Sequence, residues 1–200
     1  MSSRLSRDEA WSLLCDWVQS EALRRHCLAV EASMRAYARR SGADEELWGV
    51  VGLLHDMDYE RHPDMDAEDG HPRTAMRVLG ERGVDPEVVR AIASHADFMG
   101  VSRDSQLEKT LFAVDELSGF VLACAYVRPQ GIHGLTPKSV KKKLKQPSFA
   151  AAVNRADVTA GAEQLGVDFD EHVRTVIAAL EPHAAELGIA GRAPEGAGGA

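Results

Sequence analysis

The sequence of 200 residues predicts an all-α fold, a single-domain helical bundle of roughly eight to nine helices. Apolar residues recur at the three- and four-residue spacing of amphipathic helices almost throughout the chain. Ser, Asp, Pro and Gly stand where these patterns start and stop. Alternation with a period of two, the mark of a strand, is confined to short ambiguous stretches. The chain is long enough to bury a large core in one domain, which we place at residues 1–190.

The first half of the chain contains five amphipathic stripes with their own boundary signals. Ser6 opens a capping-box pattern before the first stripe, and Ser41-Gly42 ends the second. Pro72 suits the first position of the fourth helix, and Asp85 caps the fifth. A polar loop over residues 57–70 separates the third stripe from the fourth. In order, the predicted helices cover Trp11–Val18, Leu23–Tyr37, Leu47–Leu54, Pro72–Gly83 and Asp85–Ile92.

The second half continues the helical pattern. A long sixth stripe, Leu107–Val121, fades before Arg128-Pro129, where proline cannot continue a helix. Pro137 opens a short lysine-rich helix. The last two predicted helices cover Phe149–Leu165 and Phe169–Leu187. We expect residues 191–200 to form a disordered tail, because their Gly- and Ala-rich composition offers little to bury.

Composition disfavours several functional classes. The formal net charge of -8 argues against a general nucleic-acid-binding protein, since an acidic surface repels phosphate backbones. No apolar run is long enough to cross a bilayer, and the polar N-terminal residues lack the apolar middle region of a signal peptide. The three cysteines have no CxxC spacing and indicate neither a disulfide framework nor a zinc ribbon. We expect a reduced, cytoplasmic protein with no membrane partner.

Six candidate metal ligands follow one another along the chain. The pair His55-Asp56 stands where the apolar run of the third helix ends, and imidazole and carboxylate are both metal ligands. His26, His95 and Asp115 border apolar stripes on other helices, where an ionised aspartate requires a cation or a hydrogen-bond network. His71 precedes the fourth helix. A buried polar network without metal is the alternative. Histidines without a carboxylate partner at meaningful spacing are His62, His133, His172 and His183.

The order of these residues resembles the HD-domain superfamily of metal-dependent phosphohydrolases, over roughly residues 23–122. His71-Pro72 resembles the HDIG-type branch, and the segment HDMDYE resembles small bacterial members, although Met57 and Asp58 replace the Ile-Gly of the branch name. The resemblance implies a helical bundle of the HD-domain type with a binuclear site. One metal would be held by His26, His55, Asp56 and Asp115. His71 and His95 would add the second metal, with Asp56 as the bridge.

Such a site predicts hydrolytic chemistry. Two cations that share a water lower its pKa to give a bridging hydroxide, and they position a phosphoryl group for attack. Mixed imidazole and carboxylate ligation suits two divalent transition metal ions, of which Mn, Fe, Co, Ni and Zn remain open. Asp56 would serve catalysis as the bridge. Asp58 and Glu116 are candidates for the leaving-group acid, and equally for partners that orient a histidine ligand.

A basic segment over residues 137–155 follows the candidate ligands. Its lysines share one helical face, opposite Val140 and Leu144, and like charges so concentrated in an acidic chain suggest an anionic partner. A solvated helix face is the alternative. The stretch resembles a basic segment that follows the metal-binding core in small HD-domain proteins. The candidate substrate-binding residues are Lys138, Lys141, Lys142, Lys145, Arg128 and Arg155.

Three functional hypotheses follow. The first is a metal-dependent phosphohydrolase acting on a phosphomonoester or nucleotide-type small molecule. The second is a di-iron oxygenase, because oxygenases within the superfamily use the same ligand set. The third is a non-catalytic sensor of a nucleotide or metal. The substrate and the oligomeric state are left open, and a homo-oligomer is compatible with the sequence.

Overall fold

A computed structural model of the chain describes residues 4–192. Within this range the chain forms nine α-helices and two short 3-10 helices, with no strand, so the all-α fold class is confirmed. The 3-10 helices are Asp97–Met99 and Glu181–His183. The α-helices are α1 Arg7–Trp17, α2 Glu21–Ser41, α3 Glu45–Leu54, α4 Arg73–Glu81, α5 Pro86–His95, α6 Gln106–Tyr126, α7 Pro137–Leu144, α8 Arg155–Leu165 and α9 Phe169–Leu180.

The two longest helices, α2 and α6, lie at the centre of the bundle. Helix α2 packs against α3, α6 and α9, and α6 also contacts α5 and α8. Burial of the apolar faces stabilises this arrangement by about 25 cal/mol per Å² removed from water. Ser33 of α2 and Ser118 of α6 form a buried hydrogen bond, with 2.9 Å between the hydroxyl oxygens. The close packing of α2 and α6 places His26 and Asp115 on facing helices.

Local capping explains several helix starts. The side chains of Ser6 and Glu9 form the expected capping box at α1, and Ser105 and Glu108 form another at α6. The Glu60 carboxylate accepts the backbone N–H groups of Gln19 and Ser20, at 2.9 and 2.8 Å. This contact ties the turn after α3 to the start of α2, so two segments with candidate ligands are held together.

Two predicted helix starts were wrong. Pro72 is the N-cap of α4, which begins at Arg73, instead of the first helical residue. Helix α8 begins at Arg155 and not at Phe149. The reason is that the Asn154 side chain accepts the backbone N–H of Ala156 at 3.1 Å and so caps a helix that begins at Arg155.

The end of the last helix was also predicted wrongly. Helix α9 ends at Leu180 instead of Leu187, because Pro182 lacks the N–H that a continuing helix requires. Of the expected tail over 191–200, residues 193–200 lie outside the described part of the chain. None of the helices within residues 4–192 combines the length and the hydropathy needed to span a bilayer.

Candidate metal centre

Five segments of the bundle bring the six candidate ligands to one place. His26 lies in the second turn of α2 and Asp115 in the middle of α6, whereas His55 and His95 stand at the C-terminal ends of two other helices. Asp56 and His71 belong to the turns next to α3 and α4. Both carboxylates and all four imidazoles fall into two groups of three, in each of which the possible ligand atoms lie within 4.8 Å of one another.

The first group consists of His26, His55 and Asp115. The Nε2 atom of His26 lies 3.0 Å from Oδ1 of Asp115 and 3.2 Å from Nε2 of His55. The distance from Nε2 of His55 to the same carboxylate oxygen is 3.3 Å. His55 is fully buried, while the other two side chains keep some exposure. One face of this group is therefore open to solvent.

The second group consists of Asp56, His71 and His95. The two imidazoles approach to 3.2 Å between their Nε2 atoms, and Oδ1 of Asp56 lies 3.4 Å from Nε2 of His71 and 3.7 Å from Nε2 of His95. The other oxygen of Asp56, Oδ2, faces the first group, 3.6 Å from Nε2 of His26 and 3.5 Å from Nε2 of His55. The Asp56 carboxylate thus lies between the two groups.

The hydrogen bonds on the far sides of the imidazoles show that the site suits cations. The Nδ1–H of His55 donates to the carbonyl of Gly52 at 2.8 Å, and that of His95 to the carbonyl of Ile92 at 2.6 Å. The Nδ1–H of His71 donates to a carboxylate at 2.7 Å. In their neutral forms these rings present unprotonated Nε2 lone pairs to one another and to carboxylates. A divalent metal ion in each group would convert this repulsion into ligation.

The ionisation of the site also favours cations. Burial opposes ionisation of Asp56 and Asp115, yet the neighbouring imidazoles hold the pKa of both carboxyl groups below the usual aspartate range. Burial lowers the pKa of His55, but the carboxylates of Asp56 and Asp115 outweigh it and raise this pKa to about 9. Two partly buried carboxylates therefore create a negative potential that a proton or a metal ion must balance.

The two candidate leaving-group acids differ in their surroundings. Asp58 is fully buried, with Oδ1 2.7 Å from Nδ1 of His71 and Oδ2 2.7 Å from the backbone N–H of Ala75. Glu116 is half-buried and accepts the backbone N–H of Asn154 at 3.2 Å. Burial, followed by the charge of Asp115, raises the pKa of Glu116 to about 7. Asp58 orients a histidine, whereas Glu116 keeps a carboxyl group at the edge of the site.

The basic segment lies apart from the histidines in its contacts. Lys138, Lys142 and Lys145 are exposed, and Lys141 forms an ion pair with Asp170 at 2.7 Å. Across residues 4–192, no hydrogen bond or ion pair joins any lysine of the predicted stripe to a candidate metal ligand. Substrate binding by this stripe stays a prediction.

The two flanking arginines are engaged by the backbone. The Arg155 guanidinium donates to the carbonyl of Leu144 at the end of α7, at 3.2 Å, and to carbonyls of the turn that precedes α8, among them that of Val153 at 3.1 Å. Arg128 donates to the carbonyl of His133 at 3.0 Å. Both side chains hold local chain segments in place, and neither contacts a candidate ligand within the described residues.

Several residues near the site were not singled out in the sequence. Asp97 follows His95 by two positions, a proximity that was a usable signal. Arg103 and Asp157 come from a loop and from α8, and no sequence pattern marks them. His172, expected on a polar helix face, is fully buried instead and donates its Nε2–H to a core carbonyl at 2.9 Å.

The HD-domain family model matches residues 23–120, a range that contains all six candidate ligands. The chain carries an HD domain. HD domains generally belong to metal-dependent hydrolases and bind divalent metals, which agrees with the donor set of this site. The match does not specify a branch, so the HDIG-type assignment stays a prediction. No curated protein and no solved structure showed a significant match to the chain.

Proposed function

We propose that this HD-domain protein is a metal-dependent phosphohydrolase with a binuclear site, acting on a small phosphomonoester or nucleotide. The position of Asp56 carries the proposal: its two carboxylate oxygens face different pairs of histidines. A carboxylate with one oxygen toward each of two neighbouring cation sites is suited to bridge them. A single-metal site would have no use for the second pair of imidazoles.

Each ligand has a separate role in the proposed centre. One divalent ion would be held by His26, His55 and Asp115 together with one oxygen of Asp56. The other would be held by His71, His95 and the second oxygen of Asp56. Imidazole-rich ligation favours Mn, Fe, Co, Ni or Zn over Mg. When bound, such ions polarise a phosphoryl group and acidify water.

Among the chain's own groups, we assign the leaving-group proton to Glu116 in preference to Asp58. Both oxygens of Asp58 already accept hydrogen bonds, and its side chain is closed to solvent. Glu116 has one oxygen on the N–H of Asn154 and keeps its second oxygen available at the edge of the site. A carboxyl group must reach the leaving oxygen to protonate it, which Glu116 alone of the two can do.

The test combines metal analysis with turnover. Purified protein should contain transition metal and release phosphate from an aryl phosphate or from members of a nucleotide panel. Asp56→Ala should lose both metal and turnover, while Asp66→Ala, a change at an exposed aspartate of the following loop, should keep both. Phosphate release by Asp56→Ala at the wild-type rate would contradict the proposal.

The same experiment separates the other hypotheses. Oxygen consumption by iron-loaded protein, with no phosphate release across either panel, would favour the oxygenase instead. A nucleotide that raises the melting temperature without being consumed would favour the sensor.

A further inference from the structure

The Arg103 guanidinium connects two of the segments that carry candidate metal ligands. It forms an ion pair through Nη2 with the carboxylate of Asp97, two residues after His95. Its Cζ atom lies 3.5 Å from the centroid of the Phe112 ring. Phe112 stands three residues before Asp115 on α6, so the two side chains share a helix face. Arg103 is therefore packed on α6 one turn before Asp115.

The hydrogen-bonding capacity of this guanidinium is only partly used. Its Nε atom is buried without a hydrogen-bond partner among the described residues, and Nη1 reaches the side chain of Gln164 only at 3.3 Å. The Arg103 side chain is 11% exposed, whereas the Asp97 side chain is 67% exposed. A buried unsatisfied donor is unfavourable, while an exposed carboxylate can turn into solvent at little cost. The Arg103 guanidinium is therefore held in place, whereas another anion can replace the Asp97 carboxylate as its partner.

Asp157 lies in the field of the same charges. Burial and the carboxylate of Asp97 raise the pKa of Asp157, while Arg103 lowers it and Asp115 raises it. One carboxyl group thus responds both to the guanidinium and to a candidate metal ligand. By contrast, Lys141, one of the basic groups that the sequence suggested, is paired with Asp170.

We propose that Arg103 is the residue that binds the phosphate group of the substrate, and that the phosphate oxygens take the place of the Asp97 carboxylate. This inference rests on the proposed function and narrows the substrate class to phosphomonoesters. The planar guanidinium pairs with two oxygens of a phosphate at once. A monoester phosphate has three non-bridging oxygens, enough for both the metal centre and the guanidinium, and a diester has one fewer.

Inorganic phosphate is the probe for this assignment, titrated calorimetrically into metal-loaded protein. Arg103→Gln should weaken phosphate binding by about 10- to 100-fold and raise KM with a smaller change in kcat. The phosphate affinity of Arg103→Lys should lie between those of the wild type and Arg103→Gln, because lysine keeps the positive charge but cannot pair with two oxygens as the planar guanidinium does. Asp97→Asn should bind phosphate more tightly than the wild type, because it removes the competing carboxylate. The matched control is Arg90→Gln, which breaks ion pairs with Glu108 and Asp104 at 2.8 Å and should bind phosphate normally.

Phosphate binding is expected to weaken in Arg103→Gln and to strengthen in Asp97→Asn. These opposite effects distinguish a phosphate site from a structural ion pair. Equal weakening in Arg103→Gln and Asp97→Asn, or wild-type binding in Arg103→Gln, would overturn the inference. Metal content and melting temperature are measured for every variant, and Arg103→Lys and Asp97→Asn keep the test decisive if Arg103→Gln does not fold. A wild-type protein that holds metal but neither binds phosphate nor turns over any ester would overturn the proposed function as well. Normal turnover with no effect at Arg103 would overturn this inference alone.

Discussion

Asp58 holds His71 of the second histidine pair in place, so replacing it by asparagine should loosen that pair selectively. Its carboxylate is fully buried and accepts two hydrogen bonds of 2.7 Å, from Nδ1–H of His71 and from the backbone N–H of Ala75 in the first turn of α4. An asparagine amide can accept one of these hydrogen bonds. Its NH₂ group would then face the other donor, which leaves two N–H groups in conflict.

The size of the effect follows from these contacts. A hydrogen bond to a charged group contributes about 1.5–3 kcal/mol, so Asp58→Asn should lower the free energy of unfolding of the metal-free protein by about that amount. Loss of the carboxylate that orients a ligating histidine typically weakens metal binding by about 10- to 100-fold. We expect this loss at the site of His71 and His95. The site of His26 and His55 should be spared, because Nδ1–H of His55 donates to a backbone carbonyl that the substitution leaves intact.

Calorimetric titration of metal-free protein with cobalt(II), together with metal analysis after dialysis, measures both sites. The wild type should show two binding events, and Asp58→Asn should show one of them weakened. Asp66→Asn changes an exposed aspartate of the following loop and should match the wild type. Equal weakening of both events, or unchanged binding in Asp58→Asn, would refute the reasoning.

The remaining predictions concern protons and packing. Although burial opposes it, the carboxylates nearby raise the pKa of His55 to about 9, so metal binding at pH 7 should release about one proton, and metal affinity should rise with pH up to that value. Titrations in buffers of different ionisation enthalpy measure the proton, and no release would contradict the assignment. Burial lowers the folded-state pKa of His172 below its ordinary 6.5, so the unfolded chain takes up the proton first and stability should fall as pH drops below that value. In urea unfolding between pH 7 and pH 5, the free energy of unfolding of His172→Gln should fall less steeply than that of the wild type. In Gly161→Ala the new Cβ would lie 2.6 Å from Cα of Ala113, which should cost about 1–3 kcal/mol of stability. Gly80→Ala, with nothing within 4 Å of its Cβ, should be neutral or stabilising by up to about 1 kcal/mol, and a destabilised Gly80→Ala would show that helix packing is not the cause.

The all-α fold could be predicted because helical periodicity is a local property that the tertiary structure has little reason to override here. The proximity of His26, His95 and Asp115 was also accessible. Each borders a buried stripe, so helix packing brings them toward the interior. Which ligand atoms face one another could not be predicted from the sequence. That Oδ1 and Oδ2 of Asp56 divide between two histidine pairs depends on the turn after α3, which no periodicity describes.

Helix ends were less predictable because two local signals compete there. Phe149 continues the apolar spacing of α8, and on that evidence belongs to the helix. In the structure it packs edge-on against Phe120 from the preceding turn, with ring centroids 5.6 Å apart. The Asn154 cap determines the start of α8. Its side chain accepts backbone N–H groups in the first turn of a helix that begins at Arg155, and these groups have no partner within the helix. A stripe therefore reports which residues are buried more reliably than which are helical.

The source of positive charge for an anionic substrate is where the prediction from the sequence and our proposal from the structure differ most. Four lysines at helical spacing are conspicuous in an acidic chain, yet exposed ammonium groups are strongly hydrated and their field is screened within about 10 Å at ordinary ionic strength. Arg103 has no pattern around it in the sequence, but it is shielded from solvent and packed on Phe112, one turn before Asp115 on α6. Because a charge in a shielded position acts on its neighbours more strongly than an exposed one, a single arginine there can contribute more to phosphate binding than the whole lysine face. Our proposal therefore places the anion site by the burial and the unused donors of Arg103, and not by charge density along the sequence.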